Sequence, residues 1–300
     1  MTNKLTLTRK LRELYTRGEN LTAYLRSLDG ATSNTVEDVM LSYDFQAGSY
    51  VAAYYKNPGY LEGYTRAMAE VLRKLGTFRT VLEVGVGEAT TMSLLAEQLP
   101  PEIEWLGFDI SWSRVKVGQR FVQKRGVPRG PCRLFCADLF HIPLADHCVD
   151  LVYTSHALGP NGGRESEAIQ ELLRVATRWI VLLEPAYDLA SLAARERMEQ
   201  HGYVRNLAAA IRAQGAELVE HRLFDVSANP LNPTGLYVIR ADASPSRETP
   251  IFVCPITRTP LELEEHAAYA PESMLAYPIL DGVPCLSPAN AIVATKYRSR

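Results

Sequence analysis

The sequence predicts an α/β protein: a doubly wound, mainly parallel sheet of seven strands, with a helical segment before it and a small β-rich unit after it. Three observations predict this. From 76 to 240, apolar runs alternate with segments of helical period, the pattern of a parallel sheet covered on both faces. The first of those runs stops at Gly85-Val86-Gly87 and a helix follows, the strand-turn-helix arrangement that holds nucleotide-type cofactors. The last two runs are separated only by the turn-rich SANPLNPT. A parallel crossover needs roughly a dozen residues, so this pair is an antiparallel hairpin.

In chain order, residues 1–75 read as helical, a cap or lid: Leu7, Leu11, Leu14, Leu21, Leu25 and Leu28 recur at helical spacing. GATSN at 30–34 breaks that pattern, and a stretch dense in tyrosine follows. The core, 76–242, has predicted strands at 80–87, 104–111, 132–138, 148–158, 178–187, 216–226 and 235–242. Its predicted helices follow the first, second and fourth strands, and a helical stretch in one or two pieces covers 188–214. ASPSRETP at 243–250 reads as a linker. The last piece, 251–300, has short apolar runs, prolines and an Asp281-Gly282 turn.

The balance of 32 basic against 34 acidic side chains, formal net charge −2, argues against a nucleic-acid partner. No apolar run approaches the roughly 18–20 residues of a membrane span, and the N-terminus lacks the apolar core of a signal peptide, so a cytoplasmic protein is expected. Five cysteines, an odd number, are expected to be free thiols, with Cys132 and Cys136 as small apolar residues of a strand.

The glycine turn raises the question of the cofactor. A dinucleotide site wants a third glycine, where Thr90 stands, and receives a pyrophosphate at the helix N-terminus. Glu83 beside that turn would repel phosphate and suits a cationic cofactor: S-adenosylmethionine carries an ammonium and a sulfonium and no phosphate. Asp109 ends the second strand, about 20 residues on, where an acid accepts from ribose hydroxyls. Asp138 ends the third strand, within reach of an adenine edge. Taken singly, each acid is equally well a solvated side chain or a helix cap. Together, at three successive strand ends, they point to a ligand.

Through VLEVGVGEAT, LGFDIS, FCADLFHIPLADHCVDLVYTSHAL and WIVLLEPAY, about 160 residues in order, the chain resembles the class I S-adenosylmethionine-dependent methyltransferases. The resemblance implies a seven-stranded sheet whose final strand is antiparallel. It implies cofactor contacts at Glu83, Gly85, Gly87, Glu88, Asp109, Ile110, Asp138, Leu139 and Ser155. Glu88 stands where the family often has a further glycine. YPILDGVPCL at 277–286, with Cys254-Pro255 before it, resembles the small zinc-ribbon-like Trm112 family, some of whose members stabilise methyltransferase partners. Thr257 replaces the second cysteine of that family's knuckle, leaving only Cys254, Cys285 and His266 nearby, so no metal is expected.

Methyl transfer is an in-line displacement, for which the protein must align nucleophile and methyl and exclude water. A base is needed only for a protonated acceptor. Past the fourth and fifth strands lie Ser155, His156, Asn161, Glu184 and Tyr187; His156 is the best-placed base, Glu184 the next, and either is otherwise structural. Tyr43, Gln46, Tyr50 and Tyr54, at spacings of three to four, are read as one helical face of a lid or, equally, as a packing stripe; aromatic faces attract a sulfonium. Tyr187, NPTG at 232–235 and the 188–214 helices are expected to shape the acceptor pocket. TSHALGP replaces the Asn-Pro-Pro-Tyr type of motif, so oxygen or an amine of a small molecule is favoured as acceptor, and a homodimer is an open expectation for the working state. The competing readings are a protein or tRNA methyltransferase with a stabilising tail, and a non-catalytic binding or scaffold protein.

Overall fold

A computed structural model describes residues 3–244 and 251–298; residues 245–250 of the expected linker lie outside the described residues. The seven strands of the main sheet are β1 (Thr80–Val84), β2 (Glu104–Asp109), β3 (Cys132–Cys136), β4 (Val149–Ser155), β5 (Ala176–Pro185), β6 (Glu217–Leu223) and β7 (Thr234–Arg240). Their order is β3-β2-β1-β4-β5-β7-β6. β1 to β5 pair in parallel, whereas β7 runs antiparallel between β5 and β6. The fold class and the antiparallel end of the sheet are therefore as the sequence predicts. The chain runs outward from β1 through β2 to β3, then returns to β4 on the other side of β1. Their carboxyl ends form the switch point at which such sheets bind ligands.

All five positions of β1 are buried, Thr80 and Glu83 among them, as a central strand requires. Helices α6 (Thr90–Ala96) and α7 (Trp112–Arg125) cover one face; α8 (Glu165–Val175) and α10 (Leu207–Ala213) pack into the core of the other. The 188–214 stretch is two helices, α9 (Leu192–Gln200) and α10, separated by a segment in which Gly202 has φ +67°. The first strand is shorter than expected because Gly85, at φ +71°, leaves the extended region. The fourth ends likewise before His156, at φ +57°.

The N-terminal segment forms α1 (Thr8–Thr16), α2 (Leu21–Leu28), α3 (Val36–Asp44), α4 (Ser49–Lys56) and α5 (Pro58–Lys74). Leu11, Leu14, Leu21, Leu25 and Leu41 close into their own small core. The long α5 packs its buried face into the α6/α7 side of the sheet through Met68 and Leu72.

The tail forms a five-stranded sheet of β8 (Glu262–Leu263), β9 (Ala267–Ala270), β10 (Leu275–Leu280), β11 (Val283–Pro284) and β12 (Ile292–Val293). Asp281 and Gly282, at φ +48° and +74°, make the expected tight turn between β10 and β11. Its buried side chains are continuous with the main core: Phe252, Cys254, Leu261, Tyr277 and Leu286 belong to the same cluster as Phe135 and Val152. Phe252 meets Phe135 edge to face at 4.9 Å. Leu286 N–H donates to the Cys136 carbonyl at 2.8 Å, so the tail covers the free edge of β3, which would otherwise invite pairing with another chain. Cys254 Sγ lies 3.2 Å from the Tyr277 hydroxyl, whereas Cys285 sits beside Cys136. Among the described residues no three metal-type side chains come together.

Phe252→Ala is expected to lower stability by about 3–5 kcal/mol, because it empties the joint between tail and sheet. Urea unfolding followed by fluorescence checks this, and a single shared transition is expected for both parts.

Candidate active site

A cavity of about 500 Å³ opens at the carboxyl ends of β1, β2 and β4. Glu83, Gly85, Glu88, Asp109, Ile110, Asp138, Leu139, Ser155 and His156 all line it. The acids expected at three successive strand ends thus meet in one place.

Glu83 is 2% exposed, and Tyr153 Oη donates to its Oε2 at 2.8 Å. Burial pushes its carboxyl up to about 8, with the Tyr153 hydroxyl pulling the other way. At the turn beyond it, a Cβ on Gly85 would lie 2.3 Å from Ala157 Cβ, so only glycine lets β1 pass that loop. Asp109 Oδ2 accepts from Gly87 N–H at 3.0 Å and Oδ1 from Ser111 N–H at 2.9 Å, with Arg114 Nη1 3.7 Å from Oδ2. Asp138 Oδ1 accepts from Phe140 N–H at 3.0 Å, capping a short turn while lining the cavity.

Several expectations are corrected. Gly87 is not on the cavity: Arg114 lies against it, so close that a Cβ there would be 2.5 Å from Nη2. Glu184 is fully buried and does not line the cavity; its carboxylate accepts from Ala157, Leu158 and Gly159 N–H at 2.9, 3.1 and 3.0 Å. Burial raises it to about 7, against the pull of those donors. It therefore fixes the loop after β4 rather than meeting a ligand. Tyr187 is turned away, its hydroxyl donating to Glu199 at 2.5 Å. The 188–214 helices leave the pocket wall to Tyr203, in the link between them, and to Asn232 and Thr234 of the NPTG turn.

The tyrosines come from two helices, not one face. α3 ends at Asp44, Gly48 at φ +95° breaks the chain direction, and α4 starts at Ser49. Gln46 Nε2 donates back to Ser42 O at 3.2 Å, away from the cavity. Tyr43, Tyr50 and Tyr54 do line it. Tyr54 packs edge-on against Phe121 and accepts from Arg125 at 3.0 Å. Two carboxylates pin this roof. Glu88, 1% exposed, accepts from Gly48, Tyr50 and Val51 N–H at 2.9, 3.3 and 2.7 Å, satisfying the first turn of α4 from outside the helix. Asp44 accepts from Ser111 Oγ at 2.6 Å and from Ser113 N–H at 3.1 Å, doing the same for α7.

On the other wall, Ser155 Oγ is 2.9 Å from the Tyr64 hydroxyl and His156 Nε2 is 3.0 Å from Thr234 Oγ1. Desolvation lowers the His156 ring to about 4, so it is neutral at pH 7. Asn161 lines the cavity with its amide donating to Ala157 O at 3.1 Å. Sequence reasoning missed Arg114, Tyr64 and Tyr203. Arg114 lies beneath Tyr50 and Tyr43, 4.6 and 5.4 Å from the ring centroids. Its one signal in the sequence is a cation in the first turn of a helix, where the macrodipole disfavours it.

Residues 81–178 match the sequence model of a family described as a methyltransferase domain. No curated protein matches the chain in sequence. Solved structures share the layout. The cyclase SpnF is 16% identical, covering 61% of this chain and 81% of its own, with a TM-score of 0.49. Magnesium protoporphyrin IX methyltransferase from Synechocystis PCC 6803 is 17% identical over 61% and 83%, TM-score 0.48. Geranyl diphosphate C-methyltransferase from Streptomyces coelicolor A3(2) is 12% identical over 59% and 79%, TM-score 0.47. At such values the likeness is one of general layout. The domain match spans β1 to the start of β5 and supports S-adenosylmethionine-dependent methyl transfer.

The residues present fit that cofactor. The acids lining the cavity suit a cation, and Asp109 and Asp138 keep accepting lone pairs beyond those their backbone donors occupy.

Glu88→Ala should speed amide hydrogen exchange at Gly48, Tyr50 and Val51 at least tenfold while leaving β1 protected, as read by exchange mass spectrometry. Because the His156 ring titrates near 4 when folded and near its ordinary 6.5 when unfolded, the unfolded chain takes its proton first. Stability is therefore expected to fall as pH drops from about 6.5 to about 4. In His156→Gln, unfolding at pH 7 and pH 5 should differ less than in the wild type.

Proposed function

We propose that the chain methylates an oxygen or amine of a small molecule, with the cofactor held by Glu83, Asp109, Ile110, Asp138 and Leu139. The observation that carries this reading is the set of acids at the ends of β1, β2 and β3 facing one cavity roofed by α3 and α4. S-adenosylmethionine, when bound, supplies an electrophilic methyl on a sulfonium. The chain's own residues do the rest. Glu83 loses the proton that burial favours when a cation comes beside it. The roof keeps water from the site, and Ser155, Tyr64 and Asn161 offer polar contacts for orienting the acceptor. His156, neutral at pH 7, can take a proton but is a weak base at that acidity; Glu184 holds the loop that carries it. The roofing also supports a small acceptor over a protein or tRNA. The tail, fused to the core along β3 and α7, is read as a built-in stabiliser of the Trm112-like kind.

Calorimetric titration with S-adenosylhomocysteine should show saturable binding that Asp109→Ala weakens at least tenfold. With methyl-labelled S-adenosylmethionine and a cell extract, label should enter the small-molecule fraction. Label confined to protein or RNA would overturn the acceptor class. Binding of S-adenosylmethionine at pH 7 should release a proton in the wild type and not in Glu83→Gln, read from heats in buffers of different ionisation enthalpy.

A further inference from the structure

Beside the first cavity lies a second, of about 470 Å³, that methyl transfer as described does not use. Tyr43, Tyr50, Pro160 and Tyr203 line both and so form the wall between them. The second cavity carries the guanidinium groups of Arg26 and Arg197 together with His201, against one carboxylate, that of the exposed Glu19. Arg26 spends its N–H groups on neutral acceptors, Nη1 donating to Asn34 Oδ1 at 2.8 Å and Nη2 to Gln200 O at 2.6 Å. The Arg197 guanidinium interacts with the Tyr203 hydroxyl, yet its buried Nη1 has no hydrogen-bond partner among the described residues. A buried charged donor is rarely left without an acceptor. The positive field reaches His201, whose ring is held below its ordinary pKa by burial first and then by Arg197 and Arg26.

We infer that this second cavity is an anion subsite: it takes a carboxylate or phosphate group of the acceptor on Arg197 and Arg26, while the body of the acceptor reaches the methyl-transfer cavity past Tyr43, Tyr50 and Tyr203. A planar guanidinium fork matches either oxyanion, and the aromatic wall suits an apolar body between the two ends. The acceptor's methylation rests on the function proposed above; the binding of an anion here does not.

The test is calorimetric titration of the full chain with phenyl phosphate, benzoate and, as the uncharged control, benzyl alcohol, with and without S-adenosylhomocysteine. Wild type, Arg197→Gln and Arg197→Lys are compared. Saturable binding of at least one anion is expected, weakened tenfold or more in Arg197→Gln and partly restored in Arg197→Lys. S-adenosylhomocysteine affinity should be the same in all three. Which anion binds more tightly tells phosphate from carboxylate. The subsite is overturned if neither anion binds the wild type, if Arg197→Gln binds them as well as the wild type, or if benzyl alcohol binds equally. Anion binding lost in Arg197→Gln, in a protein that does not bind S-adenosylhomocysteine, would sink the methyl-transfer reading and leave the subsite standing.

Discussion

The site depends on the carboxylate of Asp109. At the end of β2 and 6% exposed, it must be satisfied, and it draws its donors from two loops: Gly87 N–H after β1 and Ser111 N–H at the start of α7. That fixes how the glycine turn and α7 sit relative to each other. It also gives Arg114 a counter-charge where the dipole of its helix offers none. Arg114 in turn is the cation beneath Tyr43 and Tyr50, so the roof rests on a charge that Asp109 stabilises. Two further carboxylates work reciprocally. Asp44 of the roof caps α7 of the core, and Glu88 of the core caps α4 of the roof. Caps of this kind fix a segment's position at little cost in buried apolar area, which suits a roof that must let ligands in and out.

The fold was legible because its central strands are buried on both faces. β1, β2 and β4 read as mainly apolar runs, and the eight-residue SANPLNPT between the last two runs forced an antiparallel end. Strand ends were legible for the same reason, and Glu83, Asp109 and Asp138 at those ends line one cavity. What sequence could not show is which backbone donors stand opposite an acid. Glu88 and Glu184 are both acids beside the expected site, yet each spends its oxygens on three backbone N–H groups brought in from distant or looping chain. Tyr43, Gln46, Tyr50 and Tyr54 have helical spacing, but Gly48 turns the chain between them, and spacing alone does not see a positive φ.

The tail is tied to the same helix. Trp112 Nε1 donates to Leu280 O at 3.2 Å, and Lys116 Nζ donates to Asp281 O at 2.7 Å and pairs with its carboxylate at 2.8 Å. The Asp281-Gly282 turn thus grips α7 within a few residues of Ser111 and Arg114. The tail thus covers the edge of β3 and braces the helix that orders the site.

The central claim is that the glycine turn, with Glu83 beside it and Glu88 capping the roof, accepts a cationic cofactor and rejects a phosphate-bearing one. It is tested most directly by titrating the purified chain with S-adenosylmethionine and, separately, with NAD. The account predicts saturable binding of S-adenosylmethionine and none of NAD. Binding of NAD with S-adenosylmethionine unable to displace it would contradict the account, because a pyrophosphate would then sit where these carboxylates lie.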